Sequence, residues 1–254
     1  MRKPEEIIIG KMTLRRLLDI SRFIEPYLLE ALNLGKSIKD VNIEGAPIVG
    51  IILKGENLID ANLEDEFLGI ANLSNCCLKN ANLEDARLVG AKLICANLEG
   101  SNLEDANLEE ADLSGANLIN ANLEDTNLHF ANLSGAKLGN ANLQDARISS
   151  ADMTNINLKN ADLRYAYLAF SNLNCADLSG ANLGYTDLRK ANLENTIMSY
   201  ANLENADLEE ANLKNADLTG ANLKGIKIKS TILEGVILKN TKNIPKELQF
   251  KYSR

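Results

Sequence analysis

Apolar residues recur along this chain at every fifth position. From Ile38 to Leu238, the forty-one positions of that series hold only Leu, Ile or Met, and thirty-four of them are Leu. Two residues before each of these positions the chain prefers a small side chain, and Ala occupies twenty-six of the forty-one places. An internal repeat of this length determines the architecture before any other feature of the sequence.

A period of five matches neither kind of regular secondary structure. On an α-helix, five residues turn through about 500°, so the Leu side chains would wind over every face. In a long strand, an odd spacing sends successive Leu side chains to opposite faces. The pattern is consistent only with a chain that turns a corner every five residues, with the Leu and the small residue before it pointing inward.

A longer echo predicts how many sides make a coil. Asn-Leu-Glu-Asp occurs at 62–65, 82–85, 102–105 and 122–125, and Asn-Leu-Gln-Asp follows at 142–145. The spacing is twenty residues, or four pentapeptides, which predicts a four-sided coil stacked on the next one. About ten coils at roughly 4.8 Å each would form a rod on the order of 50 Å long.

The run of Ala-Asn/Asp-Leu-x-x units over residues 36–240 closely resembles the pentapeptide-repeat proteins. The resemblance implies an all-β solenoid, a right-handed quadrilateral β-helix, and the handedness comes from the resemblance alone.

The flanking segments do not follow the repeat. We expect 1–35 to form a short α-helical N-terminal cap and 241–254 to form a C-terminal cap or tail, because open solenoid ends expose apolar and unpaired backbone groups. The alternative for 1–35 is a helical pair that binds a partner or dimerises.

Charge and composition narrow the class of protein. The formal net charge is −8; residues 1–35 carry six basic and five acidic residues and 241–254 carry four and one, so the repeat body carries −12. A basic nucleic-acid footprint is absent from that body, so we expect no direct nucleic-acid binding. The chain has no run of eighteen apolar residues, and Met1–Lys11 lacks the order of a signal peptide, so we expect no membrane association and a cytoplasmic location. The four Cys are interpreted as reduced, structural thiols.

Acidic residues form two adjacent columns when outward positions are sorted by their place in the twenty-residue coil. They are Glu44, Glu64, Glu84, Glu104 and Glu124 on one face, and Asp65, Asp85, Asp105, Asp125 and Asp145 on the corner beside it. Charges stacked about 5 Å apart repel by roughly 1 kcal/mol per neighbouring pair in water. Three interpretations stay open: duplication of a solvated Glu-Asp pair, a surface for a cationic partner, and weak Ca²⁺ or Mg²⁺ binding.

Aromatic residues follow the acidic columns along the rod. Tyr165 and Tyr185 continue the Asp corner, Tyr167 lies one side further along, and Phe130 and Phe170 lie two coils apart on the next corner. An exposed aromatic strip beside an acidic one could be a recognition patch. Stacked aromatic side chains could equally serve to stabilise the coil.

The pattern favours a non-enzymatic role. Catalysis needs a concave site with convergent groups of different kinds, and a convex rod with regular columns offers none, so we expect no catalytic residue, no cofactor and no metal site. The primary hypothesis is a rigid acidic rod that acts as a protein-protein interaction scaffold for an unidentified protein partner. A homodimer through a terminal cap is a further expectation.

The alternative comes from the resemblance. Some pentapeptide-repeat proteins are similar to duplex DNA in width and negative charge, bind a type II topoisomerase such as gyrase, and modulate it or protect it from quinolones. This chain departs from those members in three ways. Its central position is Leu where theirs is often Phe, it has no inserted loops, and its C-terminal tail is short and basic.

Overall fold

The structure, a computed structural model, describes residues 50–246. Its backbone turns a corner every five residues throughout. Every fifth residue from Gly50 to Asn240 has a φ angle between 50° and 80°, and twenty-nine of these thirty-nine residues are not Gly. A hydrogen bond closes each regular corner, as in Ala96, whose N–H donates to the Leu93 carbonyl at 2.9 Å. A positive φ at the third residue is what a type II turn requires. The corner predicted from the period of five is confirmed.

Successive coils are joined in parallel register at a spacing of twenty residues. The bridges run from Ile52–Asn72 to Asn222–Lys242. Leu103 N–H donates to the Asn122 carbonyl at 2.7 Å, and Asn122 N–H donates back to the Ser101 carbonyl at 2.9 Å. Within residues 50–245 each side is so short that a single residue forms the bridge, without a longer strand or a helix. The coil is therefore a β-solenoid with four pentapeptide sides, as the twenty-residue echo predicts.

The core is a set of Leu columns with Ala columns beside them. It extends from Ile51 to Val236, and Leu residues such as Leu103 and Leu123 are fully buried. Where Ser, Thr or Cys replaces the inward Ala, its side chain donates to a main-chain carbonyl: Thr126 Oγ1 lies 2.8 Å from the Leu103 oxygen. Cys76 bonds likewise to the Leu53 oxygen at 2.7 Å, and burial raises the pKa of its thiol. These bonds let small polar residues occupy the interior without unpaired groups.

Several predictions fall outside this description. The helical N-terminal cap at 1–35, Glu44 and most of the C-terminal segment 241–254 lie beyond the described residues. The right-handed sense of the coil, the number of coils and the domain boundaries stay predictions. Ile232 and Ile237, near the C-terminal end of the described coils, are exposed.

Side chains at the corners lean toward the following coil, which gives some corner glycines a second role. A Cβ on Gly220 would lie 2.7 Å from the Tyr200 ring, whereas a Cβ on Gly135 would meet nothing within 4 Å. Both glycines have positive φ angles, 71° and 66°. Gly220 therefore leaves space for the Tyr200 ring in addition to forming the turn.

We expect Gly135→Ala to lower the free energy of unfolding by about 1 kcal/mol, the cost of a left-handed backbone with a Cβ. Gly220→Ala should cost roughly 1 kcal/mol more, because its Cβ also displaces the Tyr200 ring. Urea denaturation of both variants measures the difference. In a Tyr200→Ala background the two costs should become equal, and a difference that persists there would contradict the assignment to the ring.

Candidate interaction surface

Two neighbouring sides of the coil carry the predicted site residues. Face A contains Leu63 and every twentieth residue after it as its central position; face B contains Leu68 and every twentieth residue after it. On each face the residue before the Leu forms the bridge, the residue after it points outward, and the next one forms the corner. The corner of face A is also the edge of face B.

A ladder of Asn side chains occupies the bridge positions of face A. Asn122 Nδ2 donates to Asn102 Oδ1 at 3.1 Å, and Asn142 Nδ2 donates to Asn122 Oδ1 at 3.0 Å. The Oδ1 of Asn122 also accepts the Glu124 N–H at 3.3 Å. The recurrence of Asn at twenty-residue spacing is the sequence signal from which this Asn–Asn ladder could have been predicted.

The same ladder binds the Glu column. Asn122 Nδ2 also lies 3.0 Å from Glu104 Oε2, and equivalent bonds reach Glu64, Glu84 and Glu124 at 3.1, 2.9 and 2.9 Å. These four Glu side chains are half-buried. A carboxylate that accepts a hydrogen bond from the next coil is part of the solenoid's own structure. This bond to the Asn ladder gives the Glu column a structural role besides the three interpretations that the sequence left open.

The corner column that begins at Asp65 presents charge outward. Asp65, Asp85, Asp105 and Asp125 are exposed and Asp145 is half-buried. Partial desolvation, followed by the Asp105 and Asp145 carboxylates, raises the pKa of the Asp125 carboxyl above its ordinary value. Repulsion between carboxylates of this column, which we call the acidic corner, therefore contributes to the shift at Asp125.

Tyr165 and Tyr185 continue that corner on the next two coils. Their rings stack with centroids 5.2 Å apart and an interplanar angle of 20°. The two side chains are 44% and 52% exposed. This tyrosine stack and the acidic corner form one unbroken column, as predicted from their spacing.

The remaining members of the predicted aromatic strip lie elsewhere. Tyr167 is on face B, while Phe130 and Phe170 occupy the far corner of that face. Phe130 contacts the His129 ring with centroids 4.1 Å apart, and Lys190 Nζ lies 5.3 Å from the Phe170 centroid. Four of the five aromatic residues therefore lie on the two edges of face B, and Tyr167 lies on the face between them.

Two exposed aromatic features were not predicted. Tyr200, 74% exposed, lies on the corner that precedes face A. Phe67 lies on face B under the Arg87 guanidinium, whose carbon is 4.3 Å from the ring centroid. Tyr200 occupies the same fifth position as Tyr165 and Tyr185, so the periodic pattern contained the signal.

Several carboxylates beyond the acidic corner are paired with cations. Arg164 and Arg189 each bind the Asp two residues earlier, with closest contacts of 2.6 Å. The Arg189 side chain holds the pKa of the Asp187 carboxyl below its ordinary value. Among residues 50–246, no group of three or more His, Cys, Asp or Glu side chains could hold a metal ion, and the four Cys are free thiols.

The model for pentapeptide repeats matches this chain in overlapping segments at 71–105, 106–145, 141–174, 161–199, 176–215 and 197–235. The chain belongs to the pentapeptide repeat family. The family is defined by a structural repeat, and the match indicates no catalytic family. Within the described part of the chain, no helix has the length and apolar character needed to span a membrane.

Solved structures agree with the family assignment. HetL, a pentapeptide repeat protein involved in heterocyst differentiation regulation from the cyanobacterium Nostoc sp. strain PCC 7120, is 34% identical; the match covers 76% of this chain and 87% of HetL, with a TM-score of 0.57. A trypsin-treated QnrB1, a plasmid-mediated fluoroquinolone resistance protein, is 19% identical over 70% of this chain and 90% of its own, with a TM-score of 0.49. At that distance the likeness to QnrB1 transfers no function. No curated protein matches the chain.

The pKa directions predict opposite effects for two Asp→Asn changes. The raised pKa of Asp125 means that the fold disfavours its ionised form, so Asp125→Asn should raise the melting temperature at pH 7. The lowered pKa of Asp187 means that the fold favours its ionised form, so Asp187→Asn should lower the melting temperature. Both differences should shrink between pH 7 and about pH 3: the Asp125 difference because its carboxyl becomes protonated, and the Asp187 difference less completely, because its lowered pKa keeps it ionised in the folded protein to a lower pH.

The pH dependence separates charge from backbone preference. Asp125 has a φ of 54°, a conformation that Asn tolerates well, and that contribution does not vary with pH. A gain that is the same at both pH values would assign the effect to the backbone. A lower melting temperature for Asp125→Asn at pH 7 would contradict the repulsion argument.

Proposed function

We propose that this chain is a non-enzymatic scaffold whose protein partner binds along the corner shared by faces A and B. The observation that carries the proposal is the unbroken column in which exposed Asp side chains lead to the stacked, half-exposed pair Tyr165 and Tyr185. Stacking already orders the two rings, so a partner that covers them loses little side-chain entropy. The acidic corner would speed the approach of a partner with a basic surface.

The test uses full-length protein as bait, with variants that differ in one feature each. Tyr165→Ala/Tyr185→Ala removes the stack, and Asp85→Asn/Asp105→Asn/Asp125→Asn neutralises the acidic corner. Tyr200→Ala is the matched control, because it removes an exposed corner Tyr from another edge of the rod. Proteins retained by the wild type and by Tyr200→Ala should be lost from the double Tyr variant. They should be retained less well by the Asp variant, most visibly at low salt.

Two results would contradict the proposal. One is equal retention of the same proteins by all four baits. The other is a double Tyr variant that behaves like the Tyr200→Ala control while the bound proteins remain specific to this chain.

A second candidate is that the acidic corner imitates the phosphate charges of duplex DNA toward a type II topoisomerase. The regular succession of Asp side chains, one per coil at about 4.8 Å, favours it. Purified gyrase should then lose supercoiling activity as the protein is added, less so at high salt, and not with the triple Asp variant. Unchanged supercoiling at micromolar protein would rule this candidate out. The Asp variant is preferred to the triple Glu64→Gln/Glu84→Gln/Glu104→Gln, because those carboxylates also bind the Asn ladder.

We also propose a homodimer through a terminal cap and a cytoplasmic location. Exposed apolar side chains near the C-terminal end support the homodimer: Ile232 and Ile237 point outward with about half of their surface exposed. Light scattering of the full-length chain tests it directly. A monomer mass at all concentrations up to about 100 µM would exclude a dimer with a dissociation constant in the micromolar range.

A further inference from the structure

A shallow groove lies on face B, beside the acidic corner. It has a volume of about 380 Å³ and is lined by Glu109, Asn127, His129, Arg147, Ser149 and Tyr167. The groove forms where the Asn ladder of this face stops. Asn127 Nδ2 donates to Asn107 Oδ1 at 3.1 Å and to Glu109 Oε2 at 3.4 Å, but the next bridge residues are Arg147 and Tyr167. Neither continues the ladder, and small Ser149 follows His129 in the outward column.

Arg147 is the unusual charge of this groove. Among the described residues, its side chain makes no hydrogen bond or ion pair, whereas Arg164 and Arg189 are each held by an Asp two positions earlier. Asp125 is near enough to Arg147 for the cation to lower its pKa, although other effects dominate there. The guanidinium of Arg147 therefore keeps its full fork of N–H donors for a ligand.

The other lining groups favour an oxyanion over a cation. The single carboxylate, Glu109, already accepts the Asn127 amide. The Ser149 hydroxyl is engaged as well, because it donates to the Tyr167 carbonyl at 3.3 Å. His129 and the Tyr167 hydroxyl add further donors. A planar carboxylate that accepts two N–H bonds from Arg147 matches this set, since guanidinium and carboxylate pair in a bidentate way.

Apolar walls indicate what should flank the carboxylate. Tyr167 lines the groove and is 50% exposed, and Phe130, whose ring contacts that of the lining residue His129, is 56% exposed. Glu109 and Tyr167 are three coils apart, about 14 Å, which four extended residues would span. Asp125 and Asp145 on the nearby corner would repel a run of acidic residues and attract a basic one.

We propose that this groove binds one acidic side chain of an extended peptide segment of the protein partner, with Arg147 as the carboxylate ligand and Tyr167 and Phe130 as apolar contacts. The proposal rests on the scaffold function above and gives its partner a specific chemistry: a single Glu or Asp between apolar residues, next to a Lys or Arg.

The probe is the peptide acetyl-Phe-Glu-Phe-Lys-amide, and the matched control replaces its Glu with Gln. Titration into ¹⁵N-labelled full-length protein in about 0.1 M salt is followed by amide chemical shifts. We expect saturable shifts centred on residues 127–149 and 167, and binding of the Gln peptide that is at least about tenfold weaker. Arg147→Gln should weaken the binding of the Glu peptide by a similar factor. Arg87 lies in the same column, but its guanidinium lies over the Phe67 ring. Arg87→Gln should therefore leave the affinity for the Glu peptide unchanged.

Equal binding of the two peptides, no saturable shifts at several millimolar, or an Arg147→Gln variant that binds like the wild type would each overturn the groove assignment. The scaffold proposal fails separately. Peptide binding does not depend on Tyr165 and Tyr185, so the Tyr165→Ala/Tyr185→Ala protein should bind the probe normally. If partner capture still depends on those two Tyr residues while the peptide results are negative, the scaffold stands and the groove does not.

Discussion

Replacing Leu123 with Ala is expected to lower the free energy of unfolding by about 3–5 kcal/mol. Leu123 is fully buried and lies in the middle of a Leu column, where each neighbour along the rod is another Leu of the same face. A coil of twenty residues is held rigidly by backbone bonds to the coils on both sides, so it cannot collapse into the space that Ala leaves. The cavity should remain, and the full cost with it.

Leu238→Ala is the matched control for that change. Leu238 occupies the same central position but is only partly buried, at the C-terminal end of the described coils. Its loss should cost less than half as much, because fewer neighbouring side chains lose contact. Chemical denaturation, with hydrogen exchange to detect separate melting of the coils, measures both variants. A cost below about 1 kcal/mol for Leu123→Ala would contradict a tightly packed solenoid interior.

The second large effect concerns the Asn ladder. Asn122→Ala should lower the free energy of unfolding by about 2–3 kcal/mol. The change removes donors to Asn102 and Glu104 and an acceptor for Asn142 and the Glu124 N–H. It also leaves the half-buried Glu104 carboxylate without its bond to the next coil, which is costlier than the loss of a neutral pair.

Asn157→Ala provides the comparison, because Asn157 lies between Lys137 and Asp177 and has no Asn neighbour in its column. Its Oδ1 accepts only the Lys159 N–H, at 3.1 Å. We expect a cost of about 0.5–1 kcal/mol for this variant. Equal costs for the two Asn→Ala changes would show that the ladder adds nothing beyond the local turn bond, against the structural role inferred here for the Glu column.

Much of this architecture could be predicted from the sequence because the constraint is periodic. A side chain such as Leu63 can point inward at every fifth position only if the backbone turns at Asp65. A twenty-residue echo then places Asp65 beneath Asp85. The same rule accounts for the buried position of Cys76 and for the exposed corner positions of Cys95 and Cys175.

The remaining features depend on the direction in which side chains lean, which periodicity does not encode. The sequence shows that Glu and Asn recur in neighbouring columns, as at Glu104 and Asn122. Only the folded structure shows that the Asn amide donates to the Glu carboxylate of the preceding coil. The two adjacent acidic columns of the prediction therefore become one hydrogen-bonded column and one exposed corner.

The most direct test of the central claim, that the acidic corner and the tyrosine stack form the protein-binding surface, is site-specific photo-crosslinking in the cell. A benzoylphenylalanine at position 185 keeps an aromatic ring on the stack, and the same residue at position 200 samples a corner of equal or greater exposure. We expect position 185 to give a discrete crosslinked protein that is absent when the photo-crosslinker is at position 200. The yield of this product should fall in the Asp125→Asn/Asp145→Asn variant. Crosslinking of equal strength and the same pattern from both positions, or none from position 185, would contradict it.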